Sequence, residues 1–247
     1  LGDLSSKAPF YAAAILAFLN FLFGYFVLPE TINENNKRPF SILRANPLGA
    51  LTHLSKIAGV SRLLLILFIY DIAFYVYPAI WAYWSEEQFG WLPIEIGYSF
   101  AAFGLCMAIS QGYLMRNVIK YLGEYKTVVW ALYLNAFCFL LIAVASNAWL
   151  VWLLIPIISL GVIAGPALQG LMSQAVPDDQ QGELQGLLTS ISAIGMIISP
   201  LLMTSVFGFF TRDSAYLYFP GSPYIISLIL IVCCIILFIA RYQKANT

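Results

Sequence analysis

The sequence predicts an all-α integral membrane bundle, and three observations predict it. Of 247 residues, 61% are hydrophobic and only 10% charged, with a mean hydropathy of +0.84. Soluble domains carry about a quarter charged residues, so water is not the solvent for most of this surface. Apolar runs long enough to cross a hydrocarbon core of about 30 Å, which takes about 20 helical residues, recur along the whole chain. Basic residues fall unequally on alternate connectors. A membrane β-barrel would instead show segments of about ten alternating residues.

Seven spans follow in order: 8–29, 63–84, 94–115, 125–146, 148–172, 184–208 and 222–240. Backbone polar groups must be paired inside the hydrocarbon, so each span is expected to be a helix. If span ends alternate sides, one side holds Lys37, Arg38, Arg44, Lys56, Arg62, Arg116, Lys120, Lys126, Arg241 and Lys244. The other holds Lys7 and Arg212. Positive loops stay inside, which places the carboxyl terminus in the cytoplasm and residue 1 outside. The acidic turn "WSEEQFGW" then faces outward, with its tryptophans at interface depth.

The longest connector, 30–62, is basic. Leu48, Leu51, Leu54 and Ile57 recur at helical spacing within it, as expected of a helix lying on the inner membrane face. His53 reads as an interfacial side chain.

The second span, "LLLILFIYDIAFYVYPAIWAYW", carries one carboxylate, Asp71, about 12 Å from its start at 1.5 Å per residue. That is near mid-membrane, where an ionised aspartate costs about 2.5–3.5 kcal/mol on insertion scales. Three readings are open: a proton or cationic-substrate site facing a cavity, a structural aspartate bonded to a neighbouring helix, or a residue in a vestibule with no specific role. Tyr75 lies one turn on, and Tyr70 and Tyr77 bracket the acid. Their hydroxyls can bond it, and their rings can stack on a substrate.

The third span places Gly97, Ala101, Gly104, Ala108 and Gln111 along one face. The small residues read as a helix contact, and Gln111 either bonds across helices or touches a ligand. In the fifth span Gly161, Gly165, Gln169 and Ser173 recur every four residues, with Pro166 predicting a kink. That face suits either a solvated cavity or a packing seam. The sixth span carries Gly182, Gly186, Ser192, Gly195, Ser199 and Pro200, which predicts a close-packed, bendable helix.

Other function classes find little support. A formal net charge of zero lacks the basic excess of a nucleic-acid binder. The four cysteines lie in apolar runs, at spacings unlike a zinc site or a disulfide framework. With a single histidine, no metal-ligand cluster and no P-loop, neither an enzyme nor a cofactor or metal is expected.

Taken together, "GPALQGLMSQ" with "QQGELQGLLTSISAIGMIISPLL", "APFYAAAILAFLNFLFGYFVLPET", "IGYSFAAFG" and "QGYL…YLGEYK" resemble the major facilitator superfamily, in its branch of tetracycline and drug:proton antiporters. The resemblance runs over nearly the whole chain. It implies helices six to twelve of a twelve-helix transporter, with five helices preceding residue 1. Residues 1–29 would then hold the last helix of the amino-terminal half, 30–62 the inter-half linker and 63–247 the carboxy-terminal six-helix half.

The resemblance also implies a small amphiphilic substrate leaving as protons enter, through a cavity shared with the amino-terminal half. Asp71 and Tyr75 stand where tetracycline antiporters carry a glutamine pair, and Met107 stands where they carry a histidine tied to proton coupling. Pro78 falls one residue later than the family's Pro-Ala step, while Gln111 and Gln169 keep the family's glutamines. Asp71 is therefore the candidate proton-coupling residue. Tyr70, Tyr75, Gln111, Gln169 and Ser173 are the candidate substrate contacts. Gly161, Gly165, Pro166, Gly182, Gly186 and Pro200 are the candidate kink and packing positions. A metabolite transporter, or a non-transporting scaffold or receptor on the same fold, are the alternatives.

Overall fold

The computed structural model describes residues 7–27 and 60–245. The amphipathic helix and His53 expected between spans one and two lie outside the described residues. Two compact units divide the chain, 1–40 and 41–247. In the first, α1 (Ala8–Val27) has 20 residues with no acidic residue in its first turn and no basic one in its last. At 1.5 Å per residue it spans about 30 Å. Phe18, Phe21, Tyr25 and Phe26 form a ladder of ring contacts along it.

The second unit is built of helices joined by short turns, with no strand among its described residues. The second span is divided into α2 (Val60–Phe74) and α3 (Val76–Phe89) at Tyr75. Pro78 is the cause, since it lacks the donor that would bond the Phe74 carbonyl and its ring crowds that turn. Gly90, at φ 66°, ends α3 in the left-handed conformation, its N–H donating to the Glu86 carbonyl at 2.8 Å. α4 (Pro93–Ile109) starts on Pro93, and the Leu92 N–H donates to Glu95 Oε2 at 2.7 Å.

The connector expected between spans three and four is itself helical. A π-helical turn (Ser110–Leu114) leads from α4 into α5 (Met115–Ala143). The 51 residues from Pro93 to Ala143 would extend about 75 Å as one helix, more than twice the membrane core. Gly123, at φ 74° and ψ 162°, divides them into two spans, a conformation that only glycine adopts without strain. Beyond it, Asn147 Oδ1 accepts the Trp149 N–H at 2.9 Å and starts α6 (Ala148–Gly161). α7 (Ala164–Ala175) follows a break at Val162–Ile163, as expected from Pro166. A 3₁₀ turn (Asp178–Gln180) leads into α8 (Gln181–Thr211), and α9 (Ser222–Ala245) closes the chain. Pro200 does not break α8, which runs unbroken through it.

Among the described residues, six helical stretches are apolar and long enough to cross a membrane. The one divided at Gly123 holds two of the seven expected spans. α2 packs against α7, α8 and α9, while α5 packs against α6, α7 and α9. Glycines set the closest approaches. Asn135 Nδ2 donates to the Gly161 carbonyl at 2.8 Å, and a Cβ on Gly161 would meet Asn135 Oδ1 at 2.6 Å. Where α9 begins, a Cβ on Gly221 would lie 1.9 Å from the Ala143 carbonyl oxygen.

Candidate functional site

Asp71 sits half-buried on α2, in the seam with α8. Ser192 Oγ donates to Asp71 Oδ2 at 2.6 Å. Gly195, one turn on, admits the acid: a Cβ there would come within 3.1 Å of Asp71 Cβ. The two following carbonyls of α2 are also taken by neighbouring helices. Ser199 Oγ donates to the Ile72 carbonyl at 2.7 Å, and Ser227 Oγ of α9 to the Ala73 carbonyl at 3.0 Å. These bonds hold the end of α2 just where Pro78 weakens its own ladder. Removing one of them as Ser199→Ala is expected to cost about 0.6 kcal/mol, the mean for such bonds in membranes. Thermal unfolding in detergent would read it as a small fall in midpoint.

Two recesses flank this seam. One, of about 310 Å³, has mixed walls: Gln169 of α7, and Gln185, Leu188, Thr189, Ser192 and Met196 of α8 among others. Gln185, Thr189 and Ser192 are spaced four and three apart, so one face of α8 carries polar groups up to Asp71. The other, of about 260 Å³, is apolar and lined by Tyr75, Tyr77, Pro78, Trp81 and Phe103 among others. Trp81 Nε1 donates to Ser99 Oγ at 2.8 Å in its wall. Tyr75, half-buried at the helix break, lines the apolar recess one turn from Asp71. The aromatic recess thus adjoins the break between α2 and α3, and Asp71, one turn away, is bonded to Ser192 in the wall of the other recess.

The profile of the Major Facilitator Superfamily matches residues 63–246. The chain belongs to the Major Facilitator Superfamily. It is 32% identical over 207 residues to the class C tetracycline resistance protein of Escherichia coli, covering 84% of this chain and 52% of that protein. To the class E protein of Escherichia coli it is 34% identical over 208 residues, covering 83% and 51%. To the class G protein of Vibrio anguillarum it is 31% identical over 214 residues, covering 84% and 52%. The chain therefore spans about half the length of the curated relatives it matches. Its family and its apolar helices make it a multi-pass membrane protein.

Within this major facilitator chain the expected site residues separate. Tyr75 and Gln169 each line a recess, and Asp71 meets one of them through its bond to Ser192. Tyr70 does neither: it is 3% exposed, stacked on Phe74, with Gly165 against its ring. A helix turns about 100° per residue, so the neighbour of Asp71, which faces α8, points elsewhere, here into the core. Ser173 is engaged within the chain. Its hydroxyl donates to Gln181 Oε1 at 2.8 Å, and Gln181 Nε2 donates back to the Ser173 and Val176 carbonyls. Ser173 thus fastens the turn between α7 and α8.

Gln111 lies in the π-helical turn, half-buried and away from both recesses. Gly161 and Gly165 pack as a seam, whereas Cβ atoms on Gly182 and Gly186 would meet nothing within 4 Å among the described residues. Nothing described packs on those two, so spacing alone does not make them a contact. Sequence reasoning missed Gln185 and Thr189, whose four-three spacing with Ser192 was the available signal, and the apolar recess, whose walls come from separate helices.

Proposed function

We propose that this chain is part of a proton-coupled secondary transporter that exports small amphiphilic compounds across a bacterial inner membrane, with its carboxyl terminus in the cytoplasm. The observation that carries the reading is Asp71: a half-buried carboxylate within an apolar span, bonded to Ser192 in the wall of one recess and one turn from Tyr75 in the wall of the other. Asp71 takes a proton from one side and releases it on the other. Gln169 and Tyr75 contact the substrate, whose apolar body enters the aromatic recess. A cavity of about 150 Å³ holds benzene, so about 260 Å³ has room for a ring system. The relatives are about twice as long, and a further helical half of the same transporter supplies the opposite cavity wall. The lipid bilayer surrounds the whole.

Similarity to tetracycline resistance proteins supports drug export, and makes tetracycline the first probe to try. The full-length protein in proteoliposomes is expected to move tetracycline or a fluorescent amphiphilic cation when a pH gradient is imposed. No gradient-dependent flux of any such probe would favour a scaffold or receptor instead. Tyr75→Ala is expected to raise the half-saturating concentration about two- to tenfold, since an aromatic contact is worth about 0.5–1.5 kcal/mol. An unchanged value would remove Tyr75 from the binding site.

A further inference from the structure

Seven hydroxyl side chains along α8 make hydrogen bonds, and five of them behave alike. Thr189, Ser190, Thr204, Ser205 and Thr211 donate to the carbonyls of Gln185, Gly186, Pro200, Leu201 and Phe207, one turn back on their own helix, at 2.6–2.9 Å. That is the usual recourse of serine and threonine in a helix without water. Ser192 and Ser199 depart from it, and both reach α2. Ser199 meets the Ile72 carbonyl, an acceptor that pH does not alter. Ser192 meets the Asp71 carboxylate, an acceptor that loses its charge on protonation.

A hydroxyl bonds an ionised carboxylate roughly twice as strongly as a neutral acceptor. Once Asp71 is neutral, that advantage is gone. The Leu188 carbonyl, one turn back from Ser192, then offers the same bond that five other hydroxyls of α8 make. We propose that Ser192 is a positioning residue with two seats: on Asp71 when the acid is ionised, and on the Leu188 carbonyl when it is protonated. Its rotation makes and breaks a bond between α2 and α8 with each proton, one residue before the Ser199 bond that stays. The proton itself comes from water in the recess lined by Gln185 and Thr189 and adds to an Asp71 oxygen. Ser192 keeps its own proton throughout. The inference rests on Asp71 as the proton-coupling group.

The titratable groups around Asp71 are few. Tyr70 and Tyr75 lie on its own segment, and Cys234 comes from α9. On α2 the nearest basic residue is Arg62, in the first turn; on α3 Tyr77 packs on Phe139 and Tyr224, and Glu86 and Glu87 lie at the far end. α7 has no titratable side chain, and on α8 Glu183 lies in the first turn and Arg212 beyond the end. Phenols and thiols do not ordinarily ionise in the range where carboxylates titrate.

The test is an infrared pH titration of the full-length protein, with the Asp71 carboxyl band assigned by its loss in Asp71→Asn. Removing a donor to the charged form raises proton affinity, so Ser192→Ala is expected to move the protonation midpoint up by about one pH unit. Ser192→Thr, which keeps the hydroxyl, should hold it near the wild-type value, and Ser199→Ala should not move it. An unshifted midpoint in Ser192→Ala, or an equal shift in Ser199→Ala, overturns the proposal. Normal proton-driven export by Asp71→Asn would instead overturn the coupling role, and the infrared titration separates the two failures because it needs no transport.

Discussion

Replacing Asp71 with asparagine in the full-length transporter is expected to abolish pH-gradient-driven export while leaving membrane insertion and thermal stability close to wild type. The amide has nearly the shape of the carboxylate and keeps an oxygen to accept the Ser192 hydroxyl, 2.6 Å from Oδ2 in the native chain. It also removes the cost of holding a charge within the membrane, about 2.5–3.5 kcal/mol at mid-helix. Like the protonated acid, the amide is a neutral acceptor, so Ser192 can turn to the Leu188 carbonyl and little stability is lost. What disappears is the ability to carry a proton. Flux of tetracycline or an amphiphilic cation into proteoliposomes, with and without a pH gradient, is the measurement. Wild-type rates in Asp71→Asn would show that another group couples the proton, and a collapse of expression would show a structural aspartate.

Gly221→Ala is expected to destabilise the bundle by about 3 kcal/mol or more, at the upper end for overpacked interiors. The new methyl group would stand 1.9 Å from the Ala143 carbonyl oxygen, 2.7 Å from its carbon and 2.9 Å from its Cα. All three are backbone atoms, so no rotamer change relieves the overlap. Either α9 or the end of α5 must move. The neighbouring Tyr224 and Trp84, whose rings meet at 5.1 Å, would lose their fit as well. Thermal unfolding in detergent, followed by tryptophan fluorescence, measures the effect. A midpoint within a degree or two of wild type would mean that α5 and α9 approach less closely than described here. Gly161→Ala is the milder companion, because the atom opposing it belongs to the Asn135 side chain.

The spans, the break at Pro166 and the family itself were legible in the sequence, whereas the break at Pro78 was not read from it. A membrane imposes long apolar runs, proline removes a donor wherever it stands, and the motifs of α7 and α8 lie within single stretches of chain. The partner of Asp71 was not legible, because Ser192 is 121 residues away. Neither was the Asn135–Gly161 contact, made between two helices each of which shows only half of it. The burial of Tyr70 was legible from spacing. Asp71 and Tyr75, four residues apart, share one face of the second span, and Tyr70 and Tyr77, seven apart, share another. Both tyrosines of the second pair lie in the core, at 3% and 5% exposure. Helical spacing likewise says where Gly182 and Gly186 stand on α8, but not whether anything opposes them.

Proton release on substrate binding tests the role of Asp71 most directly. The full-length protein, in weakly buffered detergent solution containing a pH indicator, is mixed with tetracycline or an amphiphilic cation near the protonation midpoint of the acid. Wild-type protein is expected to release protons in proportion to the substrate bound, and Asp71→Asn to bind the same probe with no release. Equal proton release from both proteins would contradict the assignment of the coupling proton to Asp71.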